Sequence, residues 1–242
     1  MLIRSTSHGN NVSIYYYQST DTFTKISLDT IGKKYIFAEK KGIAWYTNQK
    51  NNETNSYIES SWNFPEYSRL DLKHIKGRIL NYNSKIISNE KYLKRAINHY
   101  IKVWPKNALV PVHGDLTLDN IIFNKEQVIF FDWEHFNSKG EKWGFDIAYL
   151  LLSAISLPYF NSRFIPYKDL KCFTNLWKDL IEKGLDLEIA KDPFRFFINV
   201  FENSSFWIEI TKFSPKKLFP LSINTKIQEK INTSINKNIF NV

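Results

Sequence analysis

The chain of 242 residues has a single cysteine, Cys172. One thiol excludes an intramolecular disulfide framework and a cysteine-rich zinc site. Long apolar runs are also lacking. The longest uncharged, apolar-rich stretch is Ile147 to Ser162, and it contains Pro158. That falls short of the roughly 20 residues a membrane helix needs, so a buried core helix is expected there. Met1 to Thr6 carries no long apolar stretch, so no signal peptide is expected. The default setting is then the reducing cytoplasm. No internal repeat is visible, and no Gly/Ser/Pro linker divides the chain. What is present is ordinary for a globular protein: 43% hydrophobic and 24% charged residues, which excludes disorder, collagen and coiled coil. The length predicts one large domain or two small ones. Lys and Arg number 33 against 24 acids, a formal charge of +9. That balance suits an anionic ligand or surface without naming a function. The lysines are spread along the chain with no recognised nucleic-acid-binding motif, so a nucleic-acid partner is not expected.

Val12 to Tyr17 is rich in β-branched and aromatic residues and reads as a strand; Phe23 to Leu28 reads as a second, joined to it by a turn at Asp21-Thr22. Lys33 to Thr47 reads as a helix with Ile36, Ile43 and Tyr46 on one face. Tyr57 to Trp62 and Ser68 to Ile75 are further candidate strands, and Gly77 breaks the pattern. Ser88 to Trp104 reads as a helix with Ser88 as N-cap, ended by Pro105. Asn120 to Phe123 and Val128 to Phe131 flank a four-residue connection and read as a β-hairpin. After Gly144 the chain is helical through most of its length. Strands crowd the first part and helices the second, an α+β pattern with two segregated lobes.

The chemistry concentrates around the hairpin. Asp115 and Asn120 lie in the loop feeding its first strand, and Asp132 lies at the exit of its second. A two-stranded hairpin returns the chain to its starting edge, so the three groups should emerge together. An Asn beside an Asp supplies the hard oxygen ligands that suit Mg²⁺, and the remaining Asp can orient a hydroxyl and accept its proton. The spacing His113-x-Asp115, four residues, then Asn120, is also that of the kinase catalytic loop, with Asp132 in the place of the second metal motif.

His113-Gly114-Asp115 together with Asp132-Trp133-Glu134 resembles the aminoglycoside phosphotransferase and choline kinase-like family, small-molecule kinases with a protein-kinase-like fold. The resemblance is specific over about Val110 to Ala154. It implies a bilobal protein-kinase-like α+β fold with a short β-rich N-lobe (1–72), a hinge (73–77) and a mostly helical C-lobe (78–242). It implies that Asp115 is the catalytic base or hydroxyl-orienting group and that Asn120 and Asp132 hold Mg²⁺ on the phosphates of ATP, or of GTP. His113 would brace the loop. Glu134 accompanies the motif without an assigned role, and Asp146 resembles a family Asp that buttresses the loop from a helix. Such a kinase also needs a strand Lys held by a helix Glu. Lys25, with Glu39 fourteen residues on, fits better than Lys33 or Lys34. The phosphate loop would be Ser7-His8-Gly9-Asn10-Asn11, with Ser7, Gly9 and Asn10 cradling phosphate although it has one glycine rather than three; the first strand must then come from Leu2 to Arg4. His74 and Ile75 would lie where the hinge backbone meets the base.

The resemblance implies a small-molecule hydroxyl acceptor, sugar-, aminoglycoside- or choline-like. Choline would favour an aromatic cage, for which Trp143, Trp177, Phe206 and Trp207 are candidates beside core roles. Glu202 and Glu209 could meet a cation or face water. The charge of +9 argues against a polycationic acceptor. The alternative is a catalytically weak nucleotide-binding or nucleotidyl-transferring protein on the same fold. From Lys212 to Val242 there are six lysines and one acid, and Ile223, Ile227, Ile231, Ile235 and Ile239 recur every fourth position. This predicts an amphipathic helix with a basic outer face, packed on the second lobe or touching an anionic membrane surface.

Overall fold

The computed structural model describes residues 2–5, 11–49, 57–125, 127–162, 164–207 and 225–241. Five antiparallel strands form the first lobe: β1 (Leu2–Ser5), β2 (Val12–Tyr17), β3 (Thr22–Ser27), β4 (Ile58–Asn63) and β5 (Ser68–Lys73). Their order is β1-β2-β3-β5-β4. The strand expected from Leu2 to Arg4 is β1. Period-two alternation sorts the faces. Lys25 pairs with Ile14 on one side and Leu70 on the other, so it stands on the buried face with these aliphatic neighbours.

Helix α1 (Thr30–Thr47) covers that face. It starts ahead of the expected Lys33 because Asp29 is its N-cap and accepts the Gly32 N–H at 2.7 Å. Tyr35, Ile36, Glu39, Gly42, Ile43 and Tyr46 form its buried stripe, at the three-and-four spacing of one helix face. Glu39 thus sits among apolar residues by register, not by composition.

The second lobe begins with β6 (Arg78–Ile79) and α2 (Ile86–Val103). Helix α2 starts before Ser88, so Ser88 is not its N-cap; Lys85 holds that position and makes no side-chain cap. The Ile87 N–H instead donates to Asp169 Oδ1 at 3.3 Å, a long-range cap that local sequence cannot reveal. Next come β7 (Leu109–Val112), β8 (Ile121–Phe123), β9 (Val128–Phe130) and β10 (Asn137–Lys142). The β8–β9 hairpin is antiparallel as expected and β6 joins its edge, while β10 pairs with β7.

Helices α3 (Phe145–Ser156), α4 (Tyr167–Glu182), α5 (Leu187–Lys191), α6 (Pro193–Asn203) and α7 (Thr225–Ile235) complete the described fold. All residues of α3 are buried, as expected for a core helix, and among the described residues no helix is long and apolar enough to cross a membrane. On α7, Ile227, Ile231 and Ile235 are buried while Lys226, Lys230 and the following Lys237 are exposed. Ile223 lies outside the described residues. An antiparallel β-rich lobe followed by a helical lobe is the bilobal α+β architecture expected.

The lobes meet through aromatics. Trp104 at the end of α2 stacks on Tyr100 with centroids 4.5 Å apart and meets Trp45 of α1 at 5.0 Å. Trp133, fully buried, lies 5.0 Å from Tyr46. At Gly42 an added Cβ would stand 2.7 Å from the Trp133 Cβ. Only glycine lets α1 come this close to the chain leaving β9, and that approach sets Glu39 beside Asp132.

Candidate active site

Lys25 Nζ lies 2.8 and 2.7 Å from the two Glu39 carboxylate oxygens and 2.6 Å from Asp132 Oδ1. Residues from β3, α1 and the exit of β9 therefore converge on one ammonium. Burial disfavours its charge, but Asp132 and then Glu39 more than offset this and hold its pKa above the usual range. Burial pushes the Glu39 carboxyl upward, against the pull of Lys25. The rival Lys33 donates to the Phe64 carbonyl at 3.3 Å, and Lys34 is exposed.

Asp132 has φ +64°, a left-handed conformation uncommon outside glycine, asparagine and aspartate. Such backbone persists where its surroundings over-determine it. Here the Lys25 pair holds the side chain, and the buried Trp133, whose Nε1–H donates to Phe130 O at 3.0 Å, holds the next residue.

The loop between β7 and β8 is braced at several points. Gly114 has φ +89°, and a Cβ there would approach the His135 carbonyl to 2.4 Å, so only glycine fits between His113 and Asp115. The fully buried His113 donates from Nε2 to Phe131 O at 2.8 Å. That bond assigns the tautomer and leaves Nδ1 to face the Asp115 N–H at 3.4 Å. Burial pushes the His113 pKa down to about 4, so the ring is neutral near pH 7. Asp146, on the first turn of α3, accepts the His113 and Gly114 N–H groups at 2.9 and 3.0 Å. Burial pushes its carboxyl up to about 7 despite these two donors. Asn120 Nδ2 donates to the Asp115 carbonyl at 2.7 Å, which leaves its amide oxygen as the group's acceptor.

The structure thus brings Lys25, Glu39 and Asp132 together, and ties Asp115, Asn120, His113 and Asp146 into one braced loop. Glu134 is half-buried and near enough for its charge to act on Lys25. Ser7, Gly9 and Asn10 lie outside the described residues, as does Glu209. His74 and Ile75 follow β5 and are half-buried. The His74 N–H is spent on the Asp21 carbonyl at 2.9 Å, and its ring meets the Asp21 carboxylate at 2.8 Å. Trp143, Trp177 and Trp207 are core residues. Phe206 is half-buried, and Glu202 is exposed.

Two participants were missed by the sequence reading. Trp133 packs its indole 4.5 Å from the His113 ring, joining the two motifs through the core. The buried Tyr149 hydroxyl lies within electrostatic reach of the Asp115 carboxylate, and burial and then that carboxylate raise its pKa. Its signal was the spacing: Tyr149 follows Asp146 by one helical turn, so both lie on the loop-facing side of α3.

A metal here must be held by hard oxygen donors. Asp132 and the amide oxygen of Asn120 are donors of that type. Among the described residues no group of three or more His, Cys, Asp or Glu side chains could hold a metal ion. Two such donors would fit a Mg²⁺ only if other ligands supplied most of its coordination.

A β-rich lobe whose strand lysine pairs with a helix glutamate, above a helical lobe with a braced Asp loop, is the protein-kinase-like class of fold. Within that class, residues 61–151 match the model of the phosphotransferase enzyme family, APH. The resemblance read from the sequence to aminoglycoside phosphotransferases and their relatives is borne out by that match. A search of curated proteins gives no match. Among solved structures, that of the bifunctional kinase-methyltransferase WbdD is similar at 10% identity and a TM-score of 0.39, over 95% of this chain and 48% of that one. The chain spans about half the length of that protein.

Proposed function

We propose that the protein is an ATP- and Mg²⁺-dependent kinase that transfers the γ-phosphoryl group to a hydroxyl of a small molecule. The observation that carries this reading is Lys25 clasped by Glu39 and Asp132, with bonds of 2.6 to 2.8 Å. The three donors of the ammonium all go to these carboxylates here, and a nucleotide phosphate would take over the one now given to Asp132, which reaches the same place from the other lobe. We place the hinge at 73–77, between an N-lobe at 1–72 and a C-lobe at 78–242. The base would meet the hinge backbone at Ile75, since the His74 N–H is committed to the Asp21 carbonyl in the β2–β3 turn. Ser7, Gly9 and Asn10 complete the phosphate cradle in this reading.

Asp115 orients the acceptor hydroxyl and takes its proton as the oxygen bonds to the γ-phosphorus and the bond to the bridging β–γ oxygen breaks. Asn120 and Asp132 hold Mg²⁺, which neutralises charge on the phosphates. His113 and Asp146 keep the loop in place, so catalysis is mainly positioning and electrostatics. The acceptor is taken to be hydroxylated and neutral or anionic, closer to a sugar than to choline. Two points support that choice: the three tryptophans that could have formed a cage lie in the core, and the net charge is +9.

The test is ATP consumption with Mg²⁺ across choline, ethanolamine, aminoglycosides, sugars and sugar acids, with product masses measured. A product heavier by one phosphoryl group supports the reading. A nucleotidyl adduct would replace it with nucleotidyl transfer. Absence of both Mg²⁺-dependent ATP binding and turnover would overturn it.

A further inference from the structure

The chemistry of the cleft leaves one surface of the second lobe unexplained. Helix α7 packs beside α4 through a hydrogen bond between Thr174 and Ser234 hydroxyls at 2.9 Å. On α4 the exposed positions 168, 171, 175 and 178 form one stripe, which carries Lys168, Lys171 and Lys178. On α7 and the turn after it the exposed lysines are Lys226, Lys230 and Lys237. Lys171 and Lys178 flank Thr174, and Lys230 and Lys237 flank Ser234, each by about one turn. The two basic stripes therefore run side by side. Glu182 and Glu229 are the exposed acids of these stripes, and Glu182 sits at the far end of α4.

At the other end of the stripes stand large exposed aromatics. Phe160, Phe164 and Tyr167 are 45%, 61% and 75% exposed. They occupy the connection into α4, which is anchored. The Tyr159 hydroxyl donates to Asp169 Oδ2 at 2.8 Å, and Ser162 Oγ donates to Phe164 O at 3.0 Å. Lys230 Nζ lies 5.2 Å from the Phe164 ring centroid, which makes the aromatic tips and the α7 stripe one continuous surface. Holding such rings in water is unfavourable, and grouped exposed apolar side chains mark a contact surface.

We propose that this face docks on an anionic lipid surface, with Phe164 and Tyr167 entering the headgroup region and the lysines of α4 and α7 meeting lipid phosphates. Aromatic tips ringed by lysines are the complement of an anionic interface, which offers an apolar boundary behind a negative layer. The core-facing isoleucines of α7 stay packed on the lobe, so the contact is peripheral and reversible. Single-stranded nucleic acid is also bound by cations and aromatics, but in a groove that tracks the backbone. These rings stand instead at the end of two neighbouring helices.

The test is co-sedimentation of the full chain with phosphatidylcholine vesicles, with and without phosphatidylserine. Binding is expected only with phosphatidylserine, and rising salt should weaken it. The pair Phe164→Ser/Tyr167→Ser should lower partitioning about tenfold. Lys226→Glu and Lys230→Glu should each lower it about fivefold or more. Phosphate transfer in the cleft plays no part in this readout, so its failure would leave the kinase reading standing. Equal binding to both vesicle types, none to either, or binding indifferent to Phe164 and Tyr167 would overturn the proposal. So would displacement of the vesicles by an equimolar RNA oligomer, which would transfer the surface to nucleic acid.

Discussion

Neutral His113 is one residue through which pH acts on the fold. Its pKa falls from the model-peptide value of 6.5 to about 4 because the ring is buried. A lowered histidine pKa means the unfolded chain binds the proton more readily. Its contribution is therefore complete above pH 6.5 and is lost as pH falls through about 4. The full contribution is on the order of 3 kcal/mol. Denaturant midpoints of the wild type should drop between these pH values more steeply than those of His113→Gln, and parallel curves would contradict the assignment. Tyr149 is the corresponding positioning residue for Asp115. Tyr149→Phe removes a buried hydroxyl within electrostatic reach of Asp115, so kcat should fall with ATP affinity unchanged. Equal losses in both would show only a damaged fold. At this scale the sequence was legible where a motif fixes spacing, as at His113, Asp115 and Asn120. It was not legible where contacts cross the core: neither the Trp133 indole on His113 nor the Asp169 cap on α2 leaves a local mark.

Elements carry the geometry that brings the residues together. The β8–β9 hairpin was readable from two apolar runs around a short polar connection, and β2 from its β-branched and aromatic content. Helix boundaries were less readable, because α1 is started by Asp29 and α2 by a partner from α4. A close contact between the lobes is that of α1 against the segment after β9, made at Gly42. Gly42→Ala would drive a methyl group into the Trp133 Cβ at 2.7 Å, and overpacking of this kind costs about 1–3 kcal/mol. Alanine favours a helix over glycine by about 1 kcal/mol, so the net expectation is a lower thermal midpoint together with weaker ATP binding, since α1 also carries Glu39. A higher midpoint with unchanged ATP binding would show that the approach of α1 does not position the site.

On the scale of the whole molecule, the two lobes hold opposite halves of one ion cluster. Lys25 and Glu39 belong to the β-rich lobe, and Asp132 leaves the hairpin of the helical lobe. The bonds of 2.6 to 2.8 Å between them span the cleft where a nucleotide would sit. The bilobal plan was legible from the segregation of strands and helices. The substrate was not, because side chains that could have built a cage went into the core, and composition does not distinguish the two uses. In the proposed function Asp115 acts on the acceptor while Lys25, Asn120 and Asp132 hold the nucleotide. The most direct measurement is Mg²⁺-ATP affinity and phosphoryl-transfer rate side by side for the wild type and Asp115→Asn, on the best acceptor found. ATP affinity should stay within about twofold and turnover should fall by about 10²–10⁴-fold. Turnover retained in Asp115→Asn, or ATP affinity lost along with it, would contradict the account.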